Sequence, residues 1–129
     1  MKLEHIAIWT HDLEKMRAFY MKYFQMQSNE KYVNASKGFS SYFLKFDGGP
    51  TRIELMHRPD IADLMGDRGA SFGITHLAIS VGSKKAVDQL TEFLRADAYE
   101  VIGEPRTTGD GYYESVVLDC EGNQIEITV

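Results

Sequence analysis

The feature that most constrains this chain is that its sequence runs twice through the same pattern. Residues 4–20 (EHIAIWTHDLEKMRAFY) and 75–94 (THLAISVGSKKAVDQLTEFL) each put a His at the head of an apolar, strand-like run. A turn and then helical spacing follow in both. The ends of the halves correspond as well, FLKFDGGPTRIELM (43–56) against SVVLDCEGNQIEIT (115–128). Each has an apolar run, an Asp, a Gly-containing turn and Ile-Glu inside a second apolar run. The offset is 71 residues between His5 and His76 and 72 between Glu54 and Glu126. One His and one Glu therefore keep register across the repeat.

Each half reads as βαβββ. Residues 3–10 alternate as a strand, and 12–25 place Leu13, Met16, Phe19, Tyr20, Tyr23 and Phe24 at helical spacing behind Asp12 as N-cap. Strands follow near 28–34, 40–47 and 51–57, with Asp47-Gly48-Gly49 as a hairpin turn. The second half gives a strand at 74–81, a helix at 83–95 capped by Ser83, and strands near 99–103, 112–118 and 123–129, the last pair joined by Glu121-Gly122-Asn123. Pro59 and three glycines mark 58–73 as a linker. A half of this size is marginal alone. The expectation is one α+β domain over 1–129, with module one at 1–57, the linker at 58–73 and module two at 74–129.

Side chains on a strand alternate faces, which sorts the four strands that carry the repeated His and Glu. Ile6 and Ile8 oppose His5, Ala7 and Trp9, while Ile53 and Leu55 oppose Arg52, Glu54 and Met56. Leu77 and Ile79 oppose His76, Ala78 and Ser80, and Ile125 and Ile127 oppose Gln124, Glu126 and Thr128. One face is aliphatic and belongs under the helices. The other carries His or Glu with small or polar neighbours. Two imidazoles and two carboxylates at corresponding positions suit a divalent ion such as nickel, cobalt, zinc, iron or manganese, and Ala7 and Ala78 leave room beside them.

Composition narrows the setting. The net charge of −5 argues against a nucleic-acid surface. No run approaches 18 apolar residues, so no membrane-spanning helix is expected. Met-Lys-Leu-Glu-His lacks the pattern of a signal peptide, and the single Cys120 forms no internal disulfide. The expected compartment is the cytoplasm.

The paired βαβββ halves with His5, Glu54, His76 and Glu126 resemble the vicinal-oxygen-chelate superfamily of glyoxalases, bleomycin-resistance proteins and dioxygenases. The hairpin Asp119-Cys120-Glu121-Gly122-Asn123 is similar to that family's Asp-Pro-x-Gly-Asn turn. The resemblance implies a cupped mixed sheet with helices on its outer face and one divalent metal per site (nickel, cobalt or zinc, with manganese or iron as alternatives). The His, Glu, His, Glu order resembles bacterial glyoxalase I. That implies a metal-dependent lyase which isomerises the hemithioacetal of methylglyoxal and glutathione, with Glu126 as proton-transfer base and Glu54 as its counterpart. Trp9 stands where the bacterial glyoxalases carry Arg, so a related epimerase or an enzyme of another thiol conjugate stays open. A non-catalytic protein that sequesters a small ligand is the reading from a different class. Trp9, Arg52, Arg106, Tyr112 and Tyr113 are the candidate substrate contacts, with 106–114 as a loop over the cup. A homodimer is expected from the open sheet edges and from the resemblance. His57 and His11 read as structural and solvent-facing.

Overall fold

The computed structural model describes residues 1–63, 66 and 68–129. Positions 64, 65 and 67 of the expected linker lie outside the described residues. The chain divides into two compact units, Met1–Asp63 and Leu64–Val129, and each repeats the βαβββ order.

In the first unit, β1 (His5–Trp9) leads into α1 (Leu13–Phe24), then β2 (Gln27–Ser28), β3 (Tyr32–Asn34), β4 (Phe39–Lys45) and β5 (Arg52–His57). The sheet order is β1-β5-β4-β2, with β3 also paired to β4. β1 and β5 run parallel and the other pairs antiparallel. Helix α1 starts where Asp12 accepts from the Lys15 amide at 2.9 Å, satisfying one of the orphan donors of the first turn. Its buried stripe is the six residues expected from spacing. They pack over Tyr42, Leu44, Ile53 and Leu55, which are buried on the facing side of β4 and β5. Burying each such side chain is worth about 1.5–3 kcal/mol.

The strand expected at 28–34 is broken into β2 and β3. Asn29 replaces the regular ladder there: its amide donates to the Phe43 carbonyl at 3.1 Å, and its side-chain oxygen accepts from the Phe43 amide at 2.7 Å. A single 3-10 turn, Ala35–Lys37, joins β3 to β4.

The second unit contains β6 (His76–Ser80), α2 (Lys84–Ala96), β7 (Val101–Thr107), β8 (Tyr113–Leu118) and β9 (Gln124–Thr128), in sheet order β6-β9-β8-β7. β6 and β9 are parallel and the rest antiparallel. Ser83 caps α2 through the Ala86 amide at 3.2 Å. The core beneath α2 is smaller-grained, with Val87, Leu94, Val117, Ile125 and Ile127 fully covered. It also holds a buried hydroxyl pair, Thr91 Oγ1 to Ser115 Oγ at 2.7 Å. In the last hairpin Asp119 accepts from the amides of Glu121 and Asn123, both at 2.9 Å, and Gly122 takes φ +82. Those bonds fix the turn with Cys120, and no proline, in its second position. Among the described residues no helix is long and apolar enough to cross a membrane.

Candidate metal centre

Parallel pairing sets the geometry of each repeated pair. In the first unit His5 lies beside Arg52 and Ala7 beside Glu54. In the second, His76 lies beside Gln124 and Ala78 beside Glu126. The His is therefore the diagonal neighbour of the Glu on one face, across an alanine that adds no bulk. On β5 and β9 the opposite face is buried through Ile53, Leu55, Ile125 and Ile127, while on β1 and β6 Ile6, Ile8 and Leu77 are half-buried. Side-chain alternation turns His and Glu to the other face together.

The imidazole Nε2 of His5 is 3.8 Å from Glu54 Oε2, and that of His76 is 3.3 Å from Glu126 Oε2. Both gaps exceed an ordinary N–H···O bond. Two cis ligands bonded to a transition metal at about 2.0–2.2 Å stand roughly 3.0–3.5 Å apart. The His76–Glu126 gap matches that span, and His5–Glu54 needs a shift of a few tenths of an ångström. Both Glu side chains are mostly covered (16% and 17% exposed) while both His rings are more open, 38% and 40%. The donor set fits a borderline divalent ion. Each unit holds one such His–Glu pair, and among the described residues no group of three or more His, Cys, Asp or Glu is placed to hold an ion.

The surroundings of the two pairs differ. The Glu4 carboxylate accepts from His5 Nδ1 and from Arg52 Nη2. Arg52 lies over the Phe43 ring at 4.1 Å, and Phe43 meets the His5 ring edge-on at 5.5 Å. The hydrogen bond from His5, supported by that from Arg52, holds the Glu4 carboxyl below its ordinary range against some desolvation. At the matching places of the second unit stand Thr75, Gln124 and Val116. Gln124 turns away to donate to the Arg68 carbonyl at 3.3 Å. Instead, Glu114 on β8 faces Glu126. Burial, then the neighbouring Glu126 charge, raises the Glu114 carboxyl above its ordinary range, with Arg106 opposing.

The sequence profile of the glyoxalase/bleomycin resistance protein/dioxygenase superfamily matches residues 2–127. The chain belongs to that superfamily. It is 29% identical to the Bacillus subtilis protein YqjT over 97% of this chain and 96% of the relative. It is 35% identical to YwkD of the same organism over 70% of each. A glyoxalase/bleomycin resistance/dioxygenase domain from Frankia superposes with a TM-score of 0.83 at 18% identity, covering 100% of this chain and 97% of the other. Maize glyoxalase I superposes at 0.79 and 23% identity over 98% of this chain, which spans 44% of the maize chain. At such identities the structures establish the shared fold.

Within this superfamily frame the remaining candidates separate. Trp9 shares the His5 face, is 37% exposed, and forms a perpendicular corner with Phe39 at 6.2 Å. Arg52 is taken up by Glu4 and Phe43. Arg106 is not in a loop: it pairs with Glu114 in the β7–β8 ladder, its Nη2 3.6 Å from the Glu114 carboxylate. The ladder runs on to Thr107–Tyr113, so the expected 106–114 loop shortens to 108–112. Tyr112 is exposed there. Tyr113 is a paired residue of β8. It shares parity with Ser115 and Val117, and its hydroxyl donates to Asp88 on α2 at 2.7 Å, on the side opposite Glu126. His57 is structural, its Nδ1 2.9 Å from the Thr10 carbonyl. His11 reaches Asp63 at 2.6 Å in an exposed position. Glu4 and Glu114 went unnoticed in the sequence, Glu4 because strand parity assigns a residue next to His5 to the other face.

Proposed function

We propose that the chain is a metal-dependent lyase or isomerase of the glyoxalase I type, in which His5, Glu54, His76 and Glu126 together hold one divalent ion. Whether a set is supplied by one chain or by two partners of a homodimer, it takes one His–Glu pair of each kind, with the two modules acting as one domain in the cytoplasm. The observation that supports this is the facing of imidazole and carboxylate donors, 3.8 and 3.3 Å apart, at equivalent positions of both modules. When bound, a nickel, cobalt or zinc ion (or manganese or iron) supplies Lewis-acid stabilisation of the oxygen that becomes negative during proton abstraction.

The rest of the chemistry belongs to the chain. Glu126 takes the proton from the carbon beside a carbonyl and returns it to the neighbouring carbon, so the substrate is isomerised with no net loss of atoms. Glu54 holds its place as the matching carboxylate. Trp9 and Phe39 line the far end of β1, about 10 Å along the strand from the midpoint of the His5–Glu54 pair. For the glutathione hemithioacetal of methylglyoxal the product would be S-lactoylglutathione.

One observation favours a second substrate class. Arg52 and Arg106 each already face a carboxylate of this chain, which leaves little free positive charge for a glutathione carboxylate. An epimerase or lyase of a less acidic thioester or hydroxy-carbonyl compound fits that pairing better.

Zinc- and nickel-reconstituted protein assayed against the hemithioacetal and a panel of 2-hydroxy and 2-oxo thioesters decides between them. Metal-dependent turnover lost in Glu126→Gln supports the proposal. A protein that binds neither ion contradicts the proposal and favours sequestration of a small ligand, which needs no Lewis acid.

A further inference from the structure

We propose that Glu4, itself anchored by Arg52, is a positioning residue that fixes His5 in the tautomer whose Nε2 lone pair faces Glu54. The inference rests on the metal-binding reading for its consequence but not for its geometry.

An ionised carboxylate only accepts hydrogen bonds. A His5 Nδ1 bonded to Glu4 therefore carries a proton, so that in the neutral imidazole Nε2 is the unprotonated nitrogen, on the side of Glu54. A free imidazole interconverts between tautomers, and only the one with a bare Nε2 offers a donor pair there. Such outer-sphere partners orient metal-binding imidazoles and raise their basicity.

The collar that holds Glu4 is built from several independent contacts. The Arg52 amide donates to the Glu4 carbonyl at 3.0 Å, and Thr51 Oγ1 donates to the Leu3 carbonyl at 3.2 Å. These tie the approach to β1 against the start of β5. The Arg52 guanidinium then reaches the Glu4 carboxylate while its flat face rests on Phe43. Phe43 in turn closes on the edge of the His5 ring. His5 is held by a hydrogen bond at Nδ1 and by a ring at its side. Among the described residues nothing equivalent surrounds His76: Thr75 has no carboxylate, Val116 no ring, and Gln124 donates to the Arg68 carbonyl. Among the described residues His76 Nδ1 has no hydrogen-bond partner. The two histidines share a backbone position and differ in how firmly they are set.

The test uses the full chain, 15N-labelled and metal-free, with long-range proton–nitrogen correlation reading each imidazole tautomer. Wild-type His5 is expected as the Nδ1–H form. Glu4→Ala should move it toward a mixture, and Glu4→Gln, which keeps an acceptor oxygen, should restore much of the original form. His76 should keep the same tautomer balance in all three proteins. Zinc affinity, measured by competition with a chromogenic chelator, should fall about 10- to 100-fold in Glu4→Ala, recover partly in Glu4→Gln, and stay unchanged in Thr75→Ala. An unchanged His5 tautomer in a folded Glu4→Ala protein overturns the inference, as does unchanged zinc affinity in that variant. Failure of the wild type to bind zinc would instead count against the metal-binding reading, while the tautomer measurement still judges Glu4.

Discussion

Module one sets Phe43 and the Arg52–Glu4 link beside its His–Glu pair, whereas module two sets Val116 and a further carboxylate, Glu114, beside its own. The strand register beneath them is the same. The difference teaches that a repeated backbone fixes where donors stand but not what tunes them. Module one is arranged to hold its imidazole still. Module two sets Glu126 beside a second carboxylate, Glu114, whose carboxyl is raised above its ordinary range by burial and then by the Glu126 charge. The helices differ in the same way: α1 seals its sheet with four aromatic rings, while α2 uses small aliphatic residues and a hydroxyl pair.

The division of labour breaks if the two glutamates behave alike. Glu126→Gln should lower turnover by about 10²–10⁴-fold, the usual cost of losing a general base. Glu54→Gln should mainly weaken metal binding, with a far smaller loss of turnover at saturating metal. Steady-state kinetics on both variants at several zinc concentrations reads the split, and equal losses in kcat would make the modules interchangeable.

The contrast between the cores is sharpened by two substitutions followed by urea unfolding. Phe19→Ala removes a ring packed against Tyr20, Tyr23 and Phe24 and should cost about 3–5 kcal/mol. Thr91→Val leaves the buried Ser115 hydroxyl without its partner and should cost about 1–3 kcal/mol. Adding Ser115→Ala should recover most of that, because both ends of the bond are then apolar. If the double variant is no better than the single, the hydroxyl pair is not what module two relies on.

How much of this was legible in the sequence follows from which rules are local. The repeat, both caps, the buried stripe of α1 and the shared face of each His–Glu pair come from spacing alone, and the structure has them. What spacing could not show were departures from regular pairing. Asn29 takes over a ladder bond with its side chain and splits a strand that reads as continuous. Glu4 precedes the first paired residue of β1, so strand alternation does not govern it and its carboxylate folds back onto His5. Tyr113 falls in two expectations at once, the strand near 112–118 and the loop at 106–114, and as a paired residue of β8 its parity with Ser115 sends it to the helix side.

The smallest expected effect belongs to module one. Glu14 on α1 bonds Lys31 at 2.9 Å and the Tyr42 hydroxyl at 3.1 Å, and the Lys31 bond, ahead of that from Tyr42, lowers its carboxyl below the ordinary 4.5. A depressed carboxyl stabilises the folded state fully above its unfolded value, and the contribution fades as pH falls through the folded one. Glu14→Gln should therefore lower stability at neutral pH by well under about 1 kcal/mol, given its exposure. The difference from wild type should vanish in acid. Thermal melts of both proteins from neutral pH down to pH 3 check the sign, and a difference that grows on acidification would contradict it.

The central claim is that one ion needs a His–Glu pair from each module. Metal content per chain, measured on wild type, His5→Ala and His76→Ala after zinc loading and desalting, tests it most directly. The account predicts one zinc per chain in the wild type and essentially none in either variant, with both variants still folded. One zinc retained in either variant, or two per wild-type chain, would show that each module binds alone and would contradict the shared site.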